Sequence, residues 1–306
     1  MKKIFPVLAA LILLLSACGT GGNGGGKIKI VATAFPHYDF ARSIAGEDAD
    51  IVMLLPPGTE AHSYEPSPRD IIAVQNSDLF IYTGGESDAW IDAVLSSMDS
   101  RRGRDLKMMD CVALRREEIL SYMTAAEAGD EEYDEHVWTS PPNAAAIAEE
   151  ICSALCDIDA AHAEDYRARA AAFTGELLEL DESFRALAQG AARHTLIFGD
   201  RFPFLYFVRE YGLDYLAAFP GCSGDVDANP ATVARLIDEV RLSGAPVVFK
   251  CDLSAGKLAD TIAAETGAKV LTLYSCHTVS RDGFNAGETY ISLMKKNLEA
   301  LGEALN

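Results

Sequence analysis

Between Ala160 and Gln189 the chain carries no proline, and Gly190 follows as a natural C-terminal stop. Within that stretch Tyr166, Ala170, Phe173, Leu177, Leu180, Phe184 and Leu187 recur at alternating spacings of four and three, which is one apolar stripe on a helix. Roughly 30 residues of helix would span about 45 Å, more than one small domain needs. A coiled coil would require a second such stripe, and the sequence holds only this one. The spacing therefore predicts a single long helix lying across two lobes. Gly175 inside it costs about 1 kcal/mol, which the burial of the stripe outweighs.

On both sides of the helix, short apolar runs alternate with amphipathic segments. Before it, strands are expected at Lys27–Phe35, Asp50–Leu55, Asp78–Thr83 and Leu106–Met109. Helices are expected from about Tyr38 to Ala45, from Ser67 with Pro68 in its first turn, and from Pro141 to about Cys156. After it, strands are expected at Thr195–Gly199, Asp214–Phe219, Pro246–Cys251 and Lys269–Tyr274. The helices between and after them are Phe202–Tyr211, Pro230–Leu242, Ala255–Gly267 and Gly287–Leu301. This alternation indicates parallel sheets built from βα units. The fold class is α/β, two parallel-sheet lobes (27–158 and 191–306) bridged by the helix 159–190. A length of 306 residues suits two lobes, although no internal sequence repeat is readable.

The first residues form a separate unit. Met1-Lys2-Lys3 is basic, Ile4 to Leu15 is apolar but too short for a stable membrane span, and Leu15-Ser16-Ala17-Cys18 places small residues directly before a cysteine. That pattern resembles a bacterial lipoprotein signal: residues 1–17 removed, Cys18 lipidated, and the glycine-rich 18–26 serving as a flexible tether. The expected location is outside the cytoplasm, on a membrane reached through the lipid anchor only. A formal net charge of -20 argues against nucleic acid as a partner. Six further cysteines permit disulfides in such a compartment without dictating them. Cys152 and Cys156 lie one turn apart on a helix and read as packed, whereas one pair among Cys222, Cys251 and Cys276 has the placement to bridge.

Candidate chemistry gathers just past strand ends, where α/β proteins bind ligands. The stiff loop Leu55–Pro68 (LPPGTEAHSYEPSP) presents Glu60 and His62 between prolines. His136 follows an acidic loop and precedes a helix. Asp200 follows Thr195–Gly199, and His277 closes Tyr274-Ser275-Cys276-His277 after the last strand. His37, behind the first strand, is placed for the rim of a cleft, while His162 and His194 read as surface residues. Imidazoles with a carboxylate are ligands for Zn²⁺ and for harder ions such as Mn²⁺. No H-E-x-x-H, P-loop or G-x-S-x-G motif occurs, which sets aside a zincin protease, an ATPase and an α/β-hydrolase.

The whole mature chain is similar to the zinc- or manganese-binding lipoproteins of bacterial metal-uptake ABC transporters, the ZnuA- and TroA-like solute-binding proteins. The residues that carry this are Pro57-Gly58-Thr59-Glu60-Ala61-His62-Ser63-Tyr64-Glu65-Pro66, then His136-Val137-Trp138 with Pro141 and Asn143-Ala144. The long helix, Tyr211-Gly212-Leu213 and Tyr290…Met294…Asn297-Leu298 complete the match. The resemblance implies a metal held between the lobes, His62 and His136 as its first two ligands, and delivery to an ABC permease by a monomeric, non-enzymatic carrier. The chain departs from the family pattern by placing Asp200 where most members have a histidine and Ser275-Cys276-His277 where an acidic residue is usual. A His-rich loop is also missing before His136. The expected ligand set is His62, His136, Asp200 and His277, with Glu60, His37 and Cys276 as additional or supporting candidates. Such a set favours Zn²⁺, with Mn²⁺ as the alternative. A metal-dependent hydrolase, or an adhesin or chelate binder on the same fold, are the competing functions.

Overall fold

The computed structural model describes residues 26–60, 64–98, 101–123, 132–221 and 229–306. The N-terminal lobe begins with β1 (Ile28–Ala32), α1 (Phe35–Ala45), β2 (Ala49–Met53) and α2 (Pro68–Gln75). It continues with β3 (Leu79–Tyr82), α3 (Ala89–Ser96), β4 (Arg104–Lys107) and α4 (Pro141–Ile158). The long helix is α5 (Ala163–Gly190). The C-terminal lobe holds β5 (Thr195–Phe198), α6 (Leu205–Tyr211), β6 (Asp214–Ala217), α7 (Pro230–Ser243) and β7 (Val247–Cys251). It closes with α8 (Lys257–Thr266), β8 (Lys269–Leu273), α9 (Arg281–Asn285) and α10 (Tyr290–Leu305). Each sheet is parallel and four-stranded, in the orders β2-β1-β3-β4 and β6-β5-β7-β8. Each order reverses at its centre, between β1 and β3 and between β5 and β7. A crevice opens past the carboxyl ends of the strands at such points.

The long helix buries Tyr166, Ala170, Phe173, Leu177, Leu180, Phe184 and Ala188. The stripe read from sequence holds, with Leu187 half-buried against the same core and Ala188 fully buried beside it at the end. A straight 3.6-residue helix drifts away from a strict four-three alternation. α5 packs on α1 and α4 in one lobe and on α6 and α10 in the other, inside one continuous apolar cluster. Polar clamps fix both halves. Arg169 donates to the last carbonyls of α1, Ile44 O at 2.7 Å and Ala45 O at 2.9 Å. The Tyr211 hydroxyl donates to Asp181 Oδ1 at 3.0 Å. A Cβ added at Gly175 would meet no other part of the protein within 4 Å, so no close approach requires the glycine. Among the described residues no helix is long and apolar enough to cross a membrane.

Two details of the strand reading shift. The segment Lys27–Phe35 leaves the sheet at Ala32, because Phe35 already opens α1 with Pro36 in its first turn. His37 therefore points into the protein and is fully buried, away from any cleft rim. At the other end of the lobe β4 comes two residues early, and Met108–Cys111 form a 3₁₀ turn.

Candidate metal centre

The N-terminal wall of the crevice is set by a short segment, Asp134-Glu135-His136, that leads into the 3₁₀ turn Val137–Thr139. Asp134 Oδ1 accepts the backbone N–H of His136 at 2.7 Å and lies 3.0 Å from its ring Nδ1. A carboxylate only accepts, so Nδ1 carries the proton of this hydrogen bond and Nε2 is the nitrogen that could ligate a metal. Burial lowers the His136 pKa, but the charge and hydrogen bond of Asp134 outweigh it, and the net direction is upward. Tyr206 of α6 donates to Asp134 O at 2.9 Å and so ties this segment to the other lobe.

Glu135 is fully buried. Its Oε2 accepts from the backbone N–H and the hydroxyl of Ser87, both at 3.0 Å. Burial pushes its pKa up to about 7. The room comes from Gly85: a Cβ there would stand 2.2 Å from Glu135 Oε2. His37 lies behind this wall, its Nε2 3.0 Å from Thr83 Oγ1 and its ring 5.9 Å from that of Trp138. Burial lowers its pKa to about 3.

His277 arrives from the C-terminal lobe. Cys276 before it takes φ +60°, a left-handed conformation that turns the chain sharply after β8. The His277 N–H donates to Ser275 Oγ at 3.2 Å, and its ring stands edge-on to His136 at 5.4 Å. Trp138 lies between the lobes, with its ring 4.8 Å from His277 and its Nε1–H donating to Ser275 O at 2.8 Å. One ligand atom from each of Glu135, His136 and His277 lies within 4.8 Å of the others, and all three residues are buried. Two lobes thus bring imidazole nitrogens and a carboxylate to one point, a donor set that suits Zn²⁺.

A cavity of about 30 Å³ adjoins this cluster, walled by Glu60, His136, Arg201, Asp252, Ser275 and His277 among others. Glu60 Oε2 accepts from the Arg201 guanidinium at 2.8 Å, an ion pair between the lobes. Asp200 has its carboxylate turned to the backbone of its own lobe. Oδ1 accepts from Arg201 N at 2.9 Å and Oδ2 from Cys251 N at 3.1 Å. Cys276 is fully buried, its Sγ 3.7 Å from Tyr274 O, and burial pushes its thiol well up. Cys152, Cys156, Cys251 and Cys276 are all free thiols. His62, Cys18 and Cys222 lie outside the described residues, as does the acidic stretch 124–131.

Of the expected residues, the structure therefore brings His136 and His277 together and sets Glu60 on the cavity wall. Asp200 is engaged elsewhere, and His37 and Cys276 face the interior. Glu135 and Asp252 are not among the candidates that the sequence offers. Asp252 carried a usable signal, since it leaves β7 directly, as Asp200 follows β5. Its Oδ1 accepts from Ser275 N at 2.7 Å, and burial pushes its pKa up to about 6.

The profile of the ZnuA family, described as zinc-uptake complex component A, periplasmic, matches residues 30–304. The chain is 31% identical over 305 residues to the zinc-binding lipoprotein AdcA of Streptococcus pneumoniae, covering 98% of this chain and 60% of AdcA. It is 29% identical over 308 residues to the high-affinity zinc uptake system protein ZnuA of Bacillus subtilis, covering 98% and 96% of the two. The crystal structure of the Zn(II)-bound ZnuA-like domain of S. pneumoniae AdcA superposes with a TM-score of 0.76 at 29% identity, over 92% of this chain and 99% of that one. The chain thus spans about three fifths of AdcA as a whole, and the part it matches is the ZnuA-like one. The profile match, the two parallel-sheet lobes and the long helix place this chain in the ZnuA family of zinc-uptake components.

Proposed function

We propose that the protein captures one divalent cation, Zn²⁺ in preference to Mn²⁺, in the crevice between its lobes and hands it to an ABC permease. The observation that carries this reading is the meeting of Glu135, His136 and His277 donor atoms, buried and drawn from both lobes. The zinc-binding names of the relatives support the choice of metal. His62, which falls between β2 and α2 in the sequence, is assigned as a further ligand. A site with two or three imidazoles and a carboxylate favours Zn²⁺, because Mn²⁺ takes more oxygens and a larger coordination number.

Carriage rather than catalysis fits the dimensions. Substrate pockets typically run to about 300–1,000 Å³, and the space beside the cluster is about 30 Å³, enough for an ion and one or two waters. The protein acts outside the cytoplasm as a monomer held to the membrane through lipidated Cys18. Titrating metal-free protein that lacks the lipid with Zn²⁺ should give one tight site per chain. Absence of saturable binding, or several equivalent sites, overturns the proposal. Zinc should also raise the melting temperature, since a ligand bound only by the folded state stabilises it by mass action.

A further inference from the structure

The chain that leads from the 3₁₀ turn Met108–Cys111 to His136 precedes α4 and so belongs to the N-terminal lobe by sequence, yet it is fastened to the C-terminal one. Two of its parts run side by side in an antiparallel ladder. Glu117 N–H donates to Glu132 O and Asp134 N–H to Arg115 O, both at 2.9 Å, with Arg116 opposite Tyr133. A regular ladder would return a bond from Arg115 N–H to Asp134 O. Here the Tyr206 hydroxyl of α6 stands in that place. It accepts from Arg115 N–H at 3.0 Å and donates to Asp134 O at 2.9 Å. A side chain of one lobe is thus a rung in a ladder of the other.

The same device recurs in reverse on this strap. Tyr122 OH accepts from Ala217 N–H at 2.9 Å and donates to Ala217 O at 2.8 Å, on the edge strand β6. Glu118 Oε1 accepts from Arg209 Nε at 2.7 Å. Of these three fastenings, Tyr206 bonds to the residue that orients His136. Asp134 gives its carboxylate to the His136 backbone N–H and ring Nδ1, and its carbonyl to Tyr206. Asp134 and Tyr206 are both buried, where a lost hydrogen bond costs most. Without the hydroxyl, Arg115 N–H and Asp134 O either stay apart and unpaired or close onto each other, which draws the Asp134 backbone toward Arg115. Both outcomes free Asp134 from the lobe whose His277 ring stands 5.4 Å from that of His136.

We propose that Tyr206 is a positioning residue for the metal: it fixes Asp134, and through Asp134 the His136 imidazole, in the frame of the lobe that carries His277. This rests on the metal-capture reading above.

Competition titration of Zn²⁺ against a chromophoric chelator measures the effect. Tyr206→Phe should weaken zinc binding about tenfold, the lower range for residues that orient a metal ligand. Tyr122→Phe loosens the same strap without touching Asp134, and should lower the melting temperature while zinc affinity stays within about threefold of the parent. A double-mutant cycle gives a readout that a merely structural role would not move. In an Asp134→Ala background no carboxylate links the strap to the imidazole, so Tyr206→Phe should there cost less than about threefold. Parent-like affinity in Tyr206→Phe, an equal loss in Tyr122→Phe, or an undiminished loss in the Asp134→Ala background overturns the assignment. Parent protein that binds no zinc would instead sink the metal-capture reading itself, a distinct result. Should Tyr206→Phe fail to fold, para-fluorophenylalanine at position 206 fills the place of the hydroxyl without a proton to donate. It should show the same loss of about tenfold, and parent-like affinity there overturns the proposal.

Discussion

In the N-terminal lobe the backbone itself carries the sheet past its central strands. Thr33 N–H donates to Ile81 O at 3.0 Å, and Leu55 N–H donates to Thr33 O at 2.9 Å. The C-terminal lobe makes the equivalent bond beyond its own central strands. β5 and β7 pair in register only at Phe198 and Phe249, after which Gly199 N–H reaches Phe249 O at 2.9 Å. The next donor, Cys251 N–H, is taken by the Asp200 side chain. The equivalent donor of the N-terminal lobe, Thr83 N–H beyond β3, also goes to a carboxylate, Asp88 Oδ2 at 2.6 Å, but that acid lies five residues on in the same segment, whereas Asp200 reaches across from the neighbouring strand. An acidic residue beyond a strand can thus take the place of a sheet partner for a neighbouring N–H.

The metal itself offers the strongest way to break this contrast. If the two walls share one ion, His136→Ala and His277→Ala should each weaken zinc binding by at least about 100-fold, or ~2.8 kcal/mol. Asp134→Asn, which removes only the partner of His136 Nδ1, should cost about 10- to 100-fold. Competition titration checks all three. A normal affinity in His277→Ala would confine the site to one lobe and end the comparison.

Stability provides the next largest difference. Asp200→Ala leaves Cys251 N–H and Arg201 N–H without their acceptor, and should lower unfolding free energy by about 3 kcal/mol. Thr33, which follows β1 as Gly199 follows β5, is buried with Oγ1 unpartnered among the described residues. Thr33→Val removes that hydroxyl at nearly constant shape and should be neutral or stabilising by up to ~1 kcal/mol. Urea unfolding with zinc removed measures both. Equal losses in the two variants would show that Asp200 is not a sheet element.

The sequence made the scaffold legible because periodicity is a local signal. The α5 stripe depends on residues three and four apart, and most strands contain an apolar run readable by itself, β4 (Arg-Asp-Leu-Lys) being the exception. The helices α3 and α9 escaped, being eight and five residues long, too short for the 3.6 period to declare itself. Pro36 was read as a terminator of β1, yet proline is equally at home in the first turn of a helix. In the site, His136 and His277 could be read from their place beside strand ends and turns. The roles of the acids could not. Glu135 is defined by Ser87 and Gly85, some fifty residues earlier, and Asp200 by Cys251, as far downstream. Such partners meet only after both lobes have folded.

Gly85 tests the N-terminal wall at a smaller scale. A methyl group there would collide with Glu135 Oε2 at 2.2 Å and Glu135 Cβ at 2.4 Å. Gly85→Ala should push Glu135 off Ser87, cost about 1–3 kcal/mol of stability through overpacking, and weaken zinc binding by about tenfold. Thermal unfolding and chelator competition give the two numbers. Parent-like zinc affinity alongside lost stability would remove Glu135 from the shell and leave the two histidines as the shared core.

The smallest expected effect concerns how each lobe starts its helices. α2 begins with a reciprocal cap: Ser67 Oγ accepts from Asp70 N, while Asp70 Oδ2 accepts from Ser67 N at 2.8 Å. Tyr64 OH also donates to Asp70 Oδ2 at 2.9 Å, so the cap pins the end of the loop that carries Glu60. In the other lobe α8 starts from Gly256 in a left-handed conformation with no side-chain cap. Partial burial raises the Asp70 pKa, but the donors from Ser67 and Tyr64 outweigh it and the net direction is downward. A depressed carboxyl adds stability that is complete above its unfolded value of about 3.9 and is lost as pH falls through the folded value. Asp70→Asn should therefore cost about 1 kcal/mol at neutral pH, the usual worth of a cap, and less if solvent screens the half-exposed pair. The gap between variant and parent should close as pH falls through the depressed folded value. Zinc affinity should change less than threefold, since the cap steadies the loop without touching the ion. Urea unfolding at several pH values follows the gap, and a gap that persists undiminished into acid would show that packing of Tyr64, not the carboxylate, holds the loop.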